Sequence, residues 1–525
     1  MDLIADGLSV KIELDSPEEH ARAVSEKLGV TPGDIKIIKI LSKTLDIRDK
    51  EQFYYGITLA VRVPDSYDNK LNLPCYREKP VLPKSRAELK DRPVIIGFGP
   101  AGMFAALEFL EHGVKPIIFE RGKMIERRNL DVAAFSRDRV FNTESNITFG
   151  EGGAGAYSDG KLFSRGHGNN AYSAKVLDTF VRFGAPKDLV YVEKPHLGTD
   201  AICGIIKNIR QYIIENGGEI RFDSKMTGLL VENGATAGVE INNFEKYRSG
   251  LVLPAIGHSA DDTFRVLHAA GLELEQKPVS VGVRVEHPAK LINLFRYGEK
   301  YKDSGQIGSA TYSLTYTNRR LGRGVYTFCM CPGGEVVNAS SENGHLVING
   351  MSYTARDSDF SNSAIVVTCH ASDFGPGGVF AGLEFQREIE RKAFSAGGGG
   401  WKAPAQNLMD YIHGRGAGAL NPNSCETGTT SVELAGIFPE FVNKSLLMAF
   451  NKWAQEYPQF ISESAVLLAP ETRTSCALRM LRKENYESSM IKGLYPVGEG
   501  SGYAGGITSS AVDAIKAVES VLRFA

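Results

Sequence analysis

The stretch 94–122, VIIGFGPAGMFAALEFLEHGVKPIIFERG, decides the fold. An apolar strand runs into Gly97, Gly99 and Gly102, a helix-periodic run follows, and a second apolar strand ends at Glu120. Strand, turn, helix and strand open a βαβ unit. Each glycine has a mechanism in this order. Gly97 allows the tight turn, Gly99 lets backbone approach a pyrophosphate, and Gly102 lets helix and strand pack closely while the helix N-terminus faces the anion. Glu120 lies 23 positions after Gly97. A carboxylate there can accept from ribose hydroxyls and disfavours a 2′-phosphate. The alternative is a tight turn of an unrelated αβ protein.

Before this unit, residues 1–66 read as a small α+β unit: SVKIEL, a helical stretch over 17–28, then IKIIKIL and YYGITLAVRV as strands. Residues 67–91 are polar and carry Pro74, Pro80 and Pro83, and they read as a linker. After the βαβ unit, helices are expected near 172–184 and 199–216, and strands at EIRFD, MTGLLVE, TAGVEIN and LVLPAIG. From about 278 to 469 the text is β-rich (SVGVRVEH, SATYSLTYT, GVYTFCM, SAIVVTCH), with helical patches at 381–396 and 440–456. The chain then closes on a strand, a glycine-rich turn and a helix from GLYPVGEGSGYAGG onward.

A length of 525 residues exceeds the ~250–300 at which single cores stop growing, so several domains are expected. With 60 basic and 62 acidic residues the net charge is -2, which gives no global field for nucleic acid or anionic lipid. The segment 1–65 is itself acidic. No apolar run long enough to span a membrane is visible, and seven cysteines in so long a chain fit reduced thiols. A cytoplasmic protein is expected. The outlier is glycine, with 56 residues where average usage of ~7% gives roughly 37.

Two further glycine loops absorb much of that excess. FGEGGAGAYSDGK carries Gly150, Gly152, Gly153, Gly155 and Gly160. Its G-x-x-x-x-G-K spacing invites a phosphate-loop reading, but Leu162 stands where a Ser or Thr must hold magnesium. It reads better as backbone passing close to a large ligand, or as a glycine-rich surface turn. The loop VGEGSGYAGGITSS places Gly505 and Gly506 before the last helix, whose N-terminus favours negative charge. An ordinary capped helix would look the same.

With NITFGEGGAGAYSDGKLFSR, KPHLGTD, AIGHSADDTF, VGVRVEHP, FCMCPGGEVVN, KAPAQNLMDYI and ETRTS added to these loops, the chain resembles bacterial FAD-dependent proteins labelled NAD(FAD)-utilising dehydrogenases. The resemblance implies an α/β fold class: a Rossmann-like FAD-binding domain of the glutathione-reductase type, an inserted β-rich α+β domain, and a small N-terminal α+β domain. The FAD-binding domain would comprise 92–277 and 470–525, and the inserted substrate or cap domain 278–469. By that likeness Gly97, Gly99 and Gly102 line the pyrophosphate, Glu120 the ribose, Gly257 a third turn, Glu499 the ribityl chain, and Gly505, Gly506 and Ile507 the isoalloxazine. Pro100, Ala101, Arg121, Arg128, Gly152, Gly153, Gly155, Ser158 and Gly498 complete the expected cofactor contacts. Pro254, Asp261 and Cys476–Ala477 depart from the family pattern, the last two near Arg473.

Reactive groups are less legible. Lys161, Arg473 and Tyr503 could orient an anionic substrate, although a cation beside FAD as often meets the cofactor's own phosphates. His196, Asp200 and His258 could move a proton or simply satisfy local structure. Cys329 and Cys331 are the closely spaced thiols; as alternate strand residues both could pack on one face, and no metal set accompanies them. No second strand–GxGxxG–helix unit exists for NAD(P)H, so a nicotinamide would visit transiently. The expected function is hydride transfer between FAD and a small molecule. The alternatives are an FAD-containing RNA-modifying or RNA-binding protein using the N-terminal domain, and a flavin scaffold without turnover.

Overall fold

The computed structural model describes residues 1–78, 85–162, 171–319 and 321–524. Pro80 and Pro83 of the expected linker, and residues 163–165 of the second glycine loop, lie outside the described residues.

Three apolar strands build the centre of the nucleotide-binding region. Val94–Ile96, Ile117–Phe119 and Val252–Pro254 are each wholly buried. Continuous apolar strands are what a parallel sheet covered on both faces requires. With Glu219–Arg221 at one edge they form a four-stranded parallel sheet in the order 252–254, 94–96, 117–119, 219–221. The helix Pro100–Glu111 connects Val94–Ile96 to Ile117–Phe119 and packs with the last helix, Ile507–Phe524.

The expected strand at GLYPV is reduced to backbone bonds along the open edge. Val252 N donates to Gly493 O, Tyr495 N to Val252 O and Val497 N to Pro254 O, at 2.9 Å each. Pro254 gives this sheet no N–H, and only its carbonyl is used toward this edge. Met226–Glu232, Ala235–Ile241 and Glu245–Arg248 form a separate antiparallel meander.

The β-rich region forms a seven-stranded sheet. Its centre is Val279–Pro288, flanked by Phe360–Cys369 on one side and Val466–Glu471 on the other. Since Val466–Glu471 belongs to this sheet, residues 470 and 471 fall with the β-rich region and not, as expected, with the return of the nucleotide fold. SATYSLTYT becomes a strand only over Thr315–Asn318. The helices Ala381–Ala396 and Glu440–Glu456 cover this sheet, the second burying Trp453 and Phe450 completely.

The N-terminal unit has the antiparallel order Asp2–Lys11, Tyr54–Arg62, Lys36–Asp46, with the helix Pro17–Leu28 on one face. Ser16 caps that helix, its Oγ accepting from Glu19 N, and Gly29 ends it at φ +67°. Part of the expected linker is structured: Ile4 N donates to Pro74 O and Tyr76 N to Asp2 O. The unit also docks on the rest of the chain. Phe53 stacks on Tyr301 at 4.0 Å, and the Tyr301 hydroxyl donates to Glu13. Among the described residues no helix is long and apolar enough to cross a membrane.

Candidate functional site

The parallel sheet, the glycine loops and the β-rich sheet enclose one cleft of about 900 Å³. That is near the upper end of ligand pockets. Gly97, Gly99, Pro100 and Ala101 line one wall, opposite Gly153, Gly155 and Ser158. Gly99 and Gly153 approach so closely that a Cβ on Gly153 would lie 3.2 Å from the Gly99 Cα. Gly97 has φ +101°, and a Cβ there would meet the Ala255 carbonyl oxygen at 2.5 Å. Both loops are therefore shaped for backbone to face a ligand. The helix Pro100–Glu111 begins on Gly99 without a side-chain cap, which leaves its first N–H groups aimed at the cleft. Gly257, Glu499, Gly505, Gly506 and Ile507 line the same cleft. This cradle suits the pyrophosphate and planar ring of a dinucleotide.

Glu120 lines the cleft, but its carboxylate has a local task. Oε2 accepts from Phe98 N at 2.8 Å, while Oε1 accepts from Gly122 N at 2.9 Å and Gly150 N at 3.0 Å. Three of about four acceptor positions are thus filled by backbone, leaving one for a ribose hydroxyl. Glu120→Gln places an NH₂ where one or more N–H donors need an acceptor. We expect the FAD-free protein to lose about 1–3 kcal/mol of stability, read by chemical unfolding. A residue serving only the ribose would leave that measurement unchanged.

Several expected contacts lie elsewhere. Arg128 is fully buried and not on the cleft; its guanidinium donates to the carbonyls of Asn146, Ile147, Glu151 and Gly153. It holds the second glycine loop from beneath. Gly102 is packed against Gly97 O, Gly152 against the Ile206 side chain, and Gly498 against Ala101. All three serve close packing. Tyr503 is 42% exposed, with the Arg479 and Arg482 guanidiniums against its ring, and does not line the cleft. His196 pairs backbone with Lys161 in a short antiparallel bridge but does not line the cleft. Burial and Arg356 lower its pKa to about 4. Asp200 accepts from Thr354 N and Oγ1.

Arg121 and Arg473 reach the cleft already neutralised. Arg121 binds Asp262 through two 3.0 Å bonds and Glu144 at 2.8 Å. Arg473 binds Glu390 at 2.6 Å and Asp261 at 3.1 Å, so the unusual Asp261 is its counter-ion. His258 lines the cleft with Nδ1 2.6 Å from Ser259 Oγ. Burial and Arg473 bring its pKa to about 4, leaving it neutral at pH 7.

Lys161 is on the cleft, 2.8 Å from Asp159, and its ammonium donates to Met330 O. Arg356 holds the other side of the same carboxylate through Nε at 3.1 Å and Nη2 at 2.5 Å. Burial opposes the Asp159 charge, but Lys161 and Arg356 overcome it and hold the pKa below the usual carboxylate value. Lys194 and Arg296 join them on the lining. Among the described residues neither makes an ion pair. Sequence reading missed Lys194, Arg296 and Arg356, since three distant segments supply them; Lys194 opens the quoted KPHLGTD stretch, where attention fell on His196 and Asp200.

Glu499 is raised to about 7, by burial first, with Lys277 opposing. Glu151 and Glu286 are likewise raised to about 7 by burial. Acids raised in the folded state bind more protons folded than unfolded, so stability is present below their unfolded pKa and lost as pH rises through about 7. Unfolding midpoints should therefore fall between about pH 5 and pH 8, and Glu499→Gln should flatten part of that slope.

Residues 278–474 match the family described as FAD-dependent protein, C-terminal domain-like. An uncharacterized protein of Clostridium beijerinckii is 40% identical over 511 residues, covering 96% of this chain and 95% of that protein. The chain belongs to this FAD-dependent family. Its cofactor is FAD. Among solved structures, a geranylgeranyl bacteriochlorophyll reductase-like protein from Thermoplasma acidophilum overlaps the FAD-dependent protein with 12% identity and a TM-score of 0.34. That overlap covers 82% of this chain and 77% of the other. The flavin-dependent brominase Bmp2 overlaps with 10% identity and a TM-score of 0.38, over 83% of this chain and 79% of its own.

Proposed function

We propose that this protein is an FAD-dependent oxidoreductase, with a fold of the glutathione-reductase type, that transfers a hydride between its flavin and a small anionic molecule. NAD(P)H is a second donor that would bind transiently in the same cleft. The observation that carries this reading is the cleft's two unlike ends. One end is glycine backbone and helix N-termini, suited to the cofactor's phosphates. The other brings Lys161 and Arg356 together on the buried carboxylate of Asp159, with Lys194 and Arg296 also on the lining.

When bound, FAD supplies a two-electron acceptor or donor. The chain's residues do the rest. Lys161 and Arg356 are fixed by Asp159, which holds them ready without reorganisation. Lys194 and Arg296 are left to meet a substrate carboxylate. Tyr312 and Thr327, 5% and 3% exposed, bring the β-rich sheet over the cleft and exclude water. His258, neutral with Nδ1 engaged, can offer Nε2 as a hydrogen-bond partner. Glu499 has a pKa suited to holding or releasing a proton near neutrality.

The N-terminal unit buttresses this end, since Lys50 donates to the Arg296 carbonyl. This supports a docking role for it.

The test is anaerobic reduction of the yellow holoprotein by NADH, NADPH and a panel of hydroxy and amino carboxylates. Bleaching by a carboxylate, slowed at least about tenfold in Arg296→Ala, is the expected result. A flavin that no anionic donor reduces, or that a neutral donor reduces equally in both proteins, overturns the reading.

A further inference from the structure

Strand alternation alone packs Cys329 and Cys331 side by side on one face. The strand Arg323–Cys331 is not regular where they sit. Its pairing with Phe360–Cys369 shifts register between Phe328 and Cys331. Cys329 takes φ +43°, a conformation that residues other than glycine rarely adopt. A bulge of this kind re-aims a side chain. Here it leaves Cys329 on the cleft lining, half-buried, while Cys331 is wholly buried behind it.

On a regular strand, residues two apart are separated by about 6.6 Å. That is the far end of the ~4.4–6.8 Å that a disulfide spans. The bulge instead turns the Cys331 thiol back onto the Cys329 backbone, where Sγ donates to the Cys329 carbonyl at 3.3 Å.

The surroundings favour a thiolate. Arg284 Nη1 donates to Cys329 O at 3.2 Å and lies 4.0 Å from Cys331 Sγ. Lys161 is tied to Met330 O, the residue between the two cysteines. The neighbouring thiol, followed by Lys161 and Arg284 against burial, pulls the Cys329 pKa down. The other buried thiols behave oppositely: burial lifts Cys203 and Cys425 to about 11, and Cys369 and Cys476 to about 12. Thiolate character governs thiol reactivity, so Cys329 differs in kind from the other buried thiols, while Cys329 beside it and burial keep Cys331 protonated.

The geometry points to Cys329 and Cys331 as a redox-active dithiol that exchanges two electrons with the FAD held in the same cleft. In the oxidising direction the Cys329 thiolate and the Cys331 thiol join in one S–S bond. The electron pair and the Cys331 proton pass to oxidised flavin, which becomes the reduced anion; the charge of −1 and the single proton balance on both sides. In the reverse direction, a flavin reduced by substrate regenerates the thiolate and thiol. The inference rests on FAD binding, as the proposed function does, but not on which substrate is used.

The test is a stoichiometric reduction of air-oxidised holoprotein with dithionite, alongside a count of free thiols after denaturation. Expected are two electron pairs taken up per FAD, and two fewer than the seven thiols before reduction. A Cys329–Cys331 linked peptide should be visible by mass spectrometry. Cys331→Ser should take up one electron pair and show no such peptide; the wild-type thiol count stands alone if that variant fails to fold. One electron pair per FAD with all seven thiols free in every state overturns the dithiol and leaves the oxidoreductase reading standing. A chain that retains no FAD overturns both.

Discussion

Gly99→Val is expected to yield a folded, colourless protein whose affinity for FAD has fallen at least about 100-fold, or about 2.7 kcal/mol. The backbone at Gly99 tolerates a side chain, with φ −83° and ψ −170°, an extended conformation open to any residue. A Cβ there meets nothing nearer than the Gly153 Cα at 3.7 Å, an ordinary contact. The branched methyl groups would instead fill the space between the two glycine loops, where the pyrophosphate must approach backbone. Gly102→Ala should fail differently. Its Cβ would overlap the Gly97 carbonyl oxygen, which belongs to the turn itself, so misfolding is expected there. Far-ultraviolet circular dichroism and the FAD-to-protein absorbance ratio separate the two outcomes. A Gly99→Val protein that keeps stoichiometric FAD would remove the pyrophosphate from this turn.

Local periodicity made much of the chain legible. The helices Pro17–Leu28, Ala381–Ala396 and Glu440–Glu456 fall where their apolar spacing places them. The turn at 97–102 was readable because its glycine spacing is local, although the groups that Gly97 and Gly99 approach, Ala255 and Gly153, lie far along the chain. What was not legible depends on segments far apart in sequence. Arg128 reads as a basic residue beside a nucleotide motif, yet its partners are the carbonyls of residues 146–153. Tyr503 sits in the right loop but is exposed, its ring against two arginines. The cationic lining of the cleft joins Lys161, whose backbone pairs with His196 in a short bridge, and Lys194 with Arg296 and Arg356 from the β-rich region. Strand alternation puts both cysteines on one face, and a single bulge, invisible to alternation, turns Cys329 onto the cleft with Cys331 buried behind it.

Arg284 joins the sheet core to the cleft floor, and its loss should be among the costliest changes in the chain. The residue is fully buried on the central strand Val279–Pro288. Its fork pairs with Glu471 at 2.9 and 3.1 Å and donates to Asn362 at 2.7 Å, Asn349 at 3.0 Å and Cys329 O at 3.2 Å. Arg284→Met leaves Glu471 buried without a counter-charge, since burial already pushes that carboxyl upward. Breaking one side of a buried pair costs about 3–5 kcal/mol. Arg284→Met/Glu471→Leu removes both charges and should recover much of that loss, because the remaining carbonyl and amide groups cost less than an unpaired ion. The double variant should not recover the Cys329 bulge, whose carbonyl and neighbouring sulfur have lost the guanidinium. Stability and thiol behaviour therefore come apart. Chemical unfolding is expected to improve from the single to the double variant, while the rate of Cys329 alkylation at pH 7 stays below wild type in both. A double variant alkylated as fast as wild type would show that Arg284 holds the sheet together without tuning the thiol.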